Sequence, residues 1–324
     1  MTERHTVHPP AHPIAMLAAL GIGGVIAIQS RINGEFGHVL NDGIFAAVLS
    51  FIVGLSILVV IMAFRPQTRQ HLFHDLPSAF ADGRLKWWQF LGGLGGATVV
   101  ASQTLTVPLL GVALFTVALV AGMTGSSLLV DWMGLAPGGK RAVTGPRVAG
   151  AVGTTLAVAL AVSGRFSGGN LALWALVVTV IAGLASSFQQ AVNAQISVKT
   201  RDPLVATFVN FVCGLLALLI ALGLEHSVEH HAWTMPPAPW QQPILWLGGP
   251  VGLLFIVTAA YFVAPLGVLL FSLLNIAGQL VGALILDLVV PTAGTLVDTR
   301  LVIGMFLTLV AVAVASYRRP AAKR

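Results

Sequence analysis

The 324-residue sequence predicts an all-α membrane protein of ten transmembrane helices, arranged as two five-helix repeats that enter the bilayer from opposite sides. Three observations carry that prediction. Hydrophobic residues make up 56% of the chain and charged residues only 9%, against roughly one quarter charged in soluble domains. The two halves repeat each other's polar and glycine residues. The basic residues gather in alternate loops.

Apolar, charge-free blocks run over 13–30, 43–64, 87–130, 148–164, 166–198, 203–224, 232–286 and 301–317. A spanning helix needs about 17–25 apolar residues, so most blocks hold one span and the two longest hold pairs. Proline removes a helical donor and restricts its predecessor, which places turns at Val107-Pro108 and at Ala264-Pro265. The expected spans are 13–33, 44–64, 87–107, 109–132, 146–164, 171–193, 203–224, 244–263, 266–289 and 300–317. No run has the short alternating pattern of a barrel strand, and lipid tolerates no unpaired backbone. The first apolar block is long enough to span, so no separate cleavable signal peptide is expected.

With ten spans, one face receives Arg4, Arg65, Arg69, Arg84, Lys86, Lys140, Arg141, Arg147, Lys199, Arg201, Arg318, Arg319, Lys323 and Arg324. The other receives Arg31, Arg165 and Arg300. The richer face is cytoplasmic by the positive-inside rule, which puts both termini inside. The net charge of +6 is thereby absorbed by topology, and no nucleic-acid partner is implied.

Read against itself at an offset of 160, the chain pairs Gln29 with Gln189, Asn33 with Asn193, Asp42 with Asp202, Phe51 with Phe211 and Gly54 with Gly214. At 156 it pairs Leu91-Gly92-Gly93 with Leu247-Gly248-Gly249, Gly111-Val112 with Gly267-Val268, Gly122 with Gly278 and Asp131 with Asp287. The expected domains are a tail (1–12), a first repeat (13–164), a second, inverted repeat (165–317) and a basic tail (318–324). Five spans per repeat is an odd number, so the second copy must run in the opposite sense. The loops agree: 65–86 is basic, whereas 225–243 has no Lys or Arg. Inverted repeats are the architecture of many secondary transporters, because two similar halves can exchange conformations and alternate access between the two sides.

Polar side chains in lipid are costly and face a cavity or a partner helix. Gln29 and Asn33 stand four residues apart and share a helical face; Gln189 and Asn193 repeat the pair, and Asn275 and Gln279 form a third. Gln103, Asn210 and Tyr261 complete the candidate substrate path. Two roles fit these amides, lining a path or joining helices, and each amide hydrogen bond between helices is worth on the order of 1 kcal/mol. Gly92/Gly96, Gly248/Gly252 and Gly278/Gly282 follow the small-xxx-small pattern that lets backbones approach.

No charged residue falls mid-span. Glu35, expected just past span 1, and Asp131 and Asp287, closing spans 4 and 9, are the candidate coupling carboxylates or else polar caps at the water boundary. The stretch Gly134–Arg141 departs from a P-loop because Arg141 stands where Ser or Thr must hold Mg²⁺. His226, Glu229, His230 and His231 have helical spacing but lie beside Pro236-Pro237 and read as a solvated loop, so no metal site is assigned. The one cysteine, Cys213, excludes a disulfide framework. The 65–86 stretch mixes basic residues with Leu72, Phe73, Leu76 and Phe80 and suits an amphipathic helix on the leaflet. No nucleophile–base set points to an enzyme, and no cofactor is expected.

The pattern Gly24…Gln29…Asn33, then Ala46-Ala47…Ser50-Phe51…Gly54 and Leu91-Gly92-Gly93…Pro108…Gly111-Val112…Phe115, resembles the YdcZ-type family of the drug/metabolite transporter superfamily. The repeated copy makes it similar to the fused, two-domain form. The resemblance implies antiparallel five-helix domains and an inner-membrane exporter, without naming a substrate. Related small multidrug transporters carry a glutamate within their first helix, and none occurs here within the first expected span, 13–33, the next being Glu35. The expected function is a secondary transporter exporting a small polar or amphipathic metabolite or drug from the cytoplasm, multi-pass in the inner membrane. A lipid flippase and a non-transporting scaffold are the alternatives. The expected partners are a small-molecule substrate and the bilayer, with a homodimer left open.

Overall fold

The computed structural model describes residues 13–135, 137, 139–140, 142–163, 171–228 and 234–316, with the side chains at 171–172, 256–265 and 267–269 left aside. These residues form helices and no strands. They are α1 (Pro13–Leu40), α2 (Gly43–Ala63), α3 (Pro66–Gln70), α4 (Leu76–Ala81), α5 (Gly92–Leu110), α6 (Val112–Met133), α7 (Gly145–Val162), α8 (Leu171–Thr200), α9 (Pro203–Val228), α10 (Gly248–Val289) and α11 (Thr299–Ser316). A π turn (His71–Asp75) joins α3 to α4, and 3₁₀ turns over Trp87–Leu91 and Pro243–Leu247 lead into α5 and α10. Among the described residues nine helical stretches are long and apolar enough to cross a membrane, with Pro243–Phe255 a shorter apolar one.

Three boundaries differ from expectation. α1 and α8 continue to Leu40 and Thr200, past the ends expected at 33 and 193. What stops them is a left-handed residue, Asn41 (φ 51°) or Arg201 (φ 57°), followed by an aspartate opening the next helix. Asp42 accepts from the Phe45 amide and Asp202 from the Leu204 amide, each at 2.8 Å. Glu35 therefore lies inside α1, not beyond it. The first hairpin turns at Gly111 (φ 77°) rather than at Val107-Pro108, since α5 carries Pro108 in its last turn and only glycine adopts that φ freely.

The third difference is at Ala264-Pro265, where helical backbone continues from Gly248 to Val289. A straight helix of 42 residues would be about 63 Å long. Yet both ends lie beside one turn of α1: a Cβ on Gly248 would meet Asn33 Oδ1, and Arg31 Nε donates to Val290 O. The chain thus reverses inside α10. Its first part is antiparallel to α1, with Gly252 at Gln29 and Gly248 at Asn33, and its last part is parallel, with Gly278 at Leu20 and Gly282 at Gly24.

Contacts between the halves obey a two-fold rule. A Cβ on Gly23 would lie 2.0 Å from Asn275 O and 2.8 Å from Gln279 N; one on its mate Gly183 would lie 2.2 Å from Leu119 O and 2.9 Å from Met123 N. Gly93 meets Asn210 O and Gly214 N as Gly249 meets Ser50 O and Gly54 N. Phe51 and its own mate Phe211 touch across the axis, ring centroids 5.1 Å apart. α6 runs parallel to α8, and the end of α10 caps the start of α6, so those two are antiparallel. Because α1 is parallel to the end of α10, α1 and α8 run oppositely: the repeats are inverted and interlocked. Small residues make this possible, because helices in lipid gain by close packing and not by burying apolar surface.

Candidate functional site

The amides gather where the two repeats interlock. In the first repeat, Asn33 of α1 is fully buried and donates from Nδ2 to Gln103 Oε1 of α5 at 2.7 Å. Gln103 Nε2 donates to Ser30 Oγ at 3.0 Å, and Ser50 Oγ of α2 donates to Asn33 Oδ1 at 2.8 Å. Ser30 Oγ donates in turn to Ile26 O. Gly248 presses on this cluster so closely that its Cβ would lie 2.0 Å from Asn33 Oδ1. Every member is bonded. Sequence reasoning missed Ser30 and Ser50, though the repeat held the signal: Ser30 precedes its mate Gln190, and Ser50 its mate Asn210, by 160 residues.

The second repeat builds the same corner with different chemistry. Gln189 Nε2 and Asn193 Nδ2 of α8 both donate to Asn210 Oδ1 of α9, at 2.8 and 3.2 Å. Gly96 and Gly92 of α5 lie against them. Here Asn210 stands in place of Ser50, turning a donor into an acceptor, and Ala259 stands in place of Gln103. Asn193 Oδ1 is left buried without a partner. A buried polar atom of that kind costs roughly 1–3 kcal/mol, so it calls for an explanation.

The third amide pair sits in the late part of α10 against Gly23. Gln279 Nε2 donates to Asn275 Oδ1 at 2.6 Å, and both residues are buried. Asn275 Nδ2 has no partner. In the first repeat Leu119 and Met123 occupy these places, so the polarity belongs to one half only. Gln29 is half-buried beside Gly252, and Tyr261 lies outside the described side chains.

The carboxylates stand apart from these clusters. Glu35 pairs with Arg31 one turn away at 2.6 Å, and Asp131 pairs with Arg147 of α7. Asp287 is buried and accepts from the Val112 and Ala113 amides at 2.9 and 2.8 Å, capping α6 from the other repeat. A Cβ on Gly111 would come 2.8 Å from Asp287 Oδ2, which is a second reason for glycine at that turn. No group of three metal-ligating side chains occurs among the described residues, and Glu229, His230 and His231 lie outside them. The arrangement offers uncharged donors and acceptors in a membrane-embedded interface, suited to holding a polar solute without burying a charge.

No curated protein matches the sequence. One solved structure, titled "Crystal structure of protein", aligns over 93% of this chain and 95% of its own at 20% identity with a TM-score of 0.52, a likeness of fold. The family described as "Putative inner membrane exporter, YdcZ" matches twice, over residues 14–160 and 174–314. Two matches in tandem, on a helical chain whose halves interlock in opposite directions, make this multi-pass membrane protein a member of the YdcZ family of drug/metabolite transporters, a family of transporters and not of enzymes.

Proposed function

We propose that the chain is a secondary transporter that exports a small polar or amphipathic metabolite or drug by alternating access, with the amide clusters lining the path between the repeats. The face that carries Arg65–Lys86 is the cytoplasmic one, and both termini lie there. The observation that carries the reading is the pair of buried, unpartnered amide atoms, the acceptor Asn193 Oδ1 and the donor Asn275 Nδ2. Amides serving only to join helices would be bonded, as the Asn33–Gln103–Ser30–Ser50 cluster is. A solute offering both a donor and an acceptor removes the cost of leaving such atoms bare.

The difference between the two corners supports a state closed on the outer side. Asn33 is sealed and fully bonded, whereas Asn193 is half-buried and short of a partner. Exchange of these two arrangements between the inverted halves would open the other side. The test compares metabolite pools in deletion and overexpressing cells to identify the solute, then measures its efflux by Asn193→Leu and Gln279→Met variants. Loss of efflux with normal expression and melting temperature is expected. Efflux at the wild-type rate, with stability changed by about 1 kcal/mol or less, would assign these amides to helix joining and reject the path.

A further inference from the structure

Beside the path, on the lipid side of α9, lies an apolar groove of about 470 Å³ lined by Leu72, Leu76, Phe90, Leu94, Val212 and Cys213, among others. Its volume falls within the roughly 300–1,000 Å³ usual for ligand sites. Its floor is α9 and the start of α5. Its rim is the surface segment: Leu72 in the π turn and Leu76 in α4. That segment is anchored, since Thr68 and Ala79 are buried and His71 faces both Asp75 and Asp202. The rim is thus packed against the helices behind it.

The surface segment that forms the rim is mainly basic, with four Arg and Lys against Asp75 and Asp82. Arg65, Arg69 and Lys86 are exposed, and among the described residues no carboxylate pairs with them; Arg84 alone is taken up, by Asp82. The repeat-equivalent segment 225–243 has no Lys or Arg. We infer that the groove holds one acyl chain of an anionic glycerophospholipid drawn from the leaflet on the basic face, with its phosphate among Arg69 and Lys86. A bare apolar concavity facing lipid takes up a chain, and the free cations select the headgroup. The chain lies on the back of the α9 turn that presents Asn210, so the lipid braces the helix that carries this corner of the path. The inference rests on the membrane spans and not on the transport reading, so either can fail without the other.

The experiment uses the purified full chain in mixed micelles with phosphatidylglycerol or phosphatidylcholine, counting retained lipids by native mass spectrometry. Wild type should keep one phosphatidylglycerol in preference to phosphatidylcholine. Each basic residue near an anionic headgroup contributes about fivefold, so the Arg69→Gln/Lys86→Gln variant should lose roughly twenty-five-fold of that preference. Ala217 of α9 also lines the groove, so Ala217→Trp, which fills it, should lose the tightly held lipid of either kind, and Cys213→Phe repeats the test should the tryptophan variant aggregate. As a second readout, N-ethylmaleimide should label Cys213 more slowly in phosphatidylglycerol than in phosphatidylcholine. Equal retention of both lipids by wild type would mean ordinary boundary lipid only, and unchanged retention by a folded groove-filling variant would place the lipid elsewhere; either overturns the inference.

Discussion

Gly93→Ala tests whether the repeats are held by backbone contact. At this crossing of α5 on α9, an added Cβ would lie 2.4 Å from Asn210 O, 2.6 Å from Gly214 N and 2.7 Å from Cys213 Cβ. Two of the three are backbone atoms and cannot rotate away. The helices must part by about 1 Å, and a gap of that size forfeits about a quarter to a half of each lining contact. Overpacking of this kind costs about 1–3 kcal/mol. Gly223 of α9 has nothing within 4 Å of its Cβ position, so Gly223→Ala keeps the packing and gains helix propensity of up to about 1 kcal/mol. The two alanines should therefore differ by about 1–4 kcal/mol. Gly249→Ala, the repeat mate, should behave like Gly93→Ala, because its Cβ would lie 2.3 Å from Ser50 O and 2.6 Å from Gly54 N. Reversible unfolding in dodecyl sulfate titrations, followed by tryptophan fluorescence, measures these differences. Gly93→Ala within about 0.5 kcal/mol of Gly223→Ala would refute the close-crossing account.

Two further outcomes follow from named contacts. Asp287→Ala strands the Val112 and Ala113 amides and should destabilise the protein by about 1–3 kcal/mol, while Asp287→Asn, which can still cap a helix, should lose less; melting in detergent distinguishes them. In a Cys213→Ala background, a cysteine at Gln70 should react with an impermeant maleimide only from the cytoplasm and one at Gln241 only from outside, and labelling of both from one side would end the assignment of faces.

Composition, charge-free blocks and the internal repeat were enough to establish the membrane class and the inversion, because lipid leaves few structures open and an odd repeat must flip. The glycines were legible as packing positions for the same reason. The ends of α1 and α8 were not: polar residues such as Glu35 read as interface, whereas the helix stops only where Asn41 or Arg201 turns left-handed and an aspartate caps the next helix. The hairpin turn moved from Pro108 to Gly111 because a carboxylate from the other repeat, Asp287, caps the helix that begins there. Such long-range partners leave no local mark. Amide pairs at a spacing of four could be read as candidates, but whether each was satisfied depended on residues far along the chain: Gln103 and Ser50 complete Asn33, while Asn210 takes up the Asn193 amide nitrogen and leaves Asn193 Oδ1 bare. Sequence determined which residues face one another within a helix; only the packing of one repeat into the other decided which polar atoms were left for a solute, since hydrogen-bond satisfaction is a property of the neighbours and not of the residue.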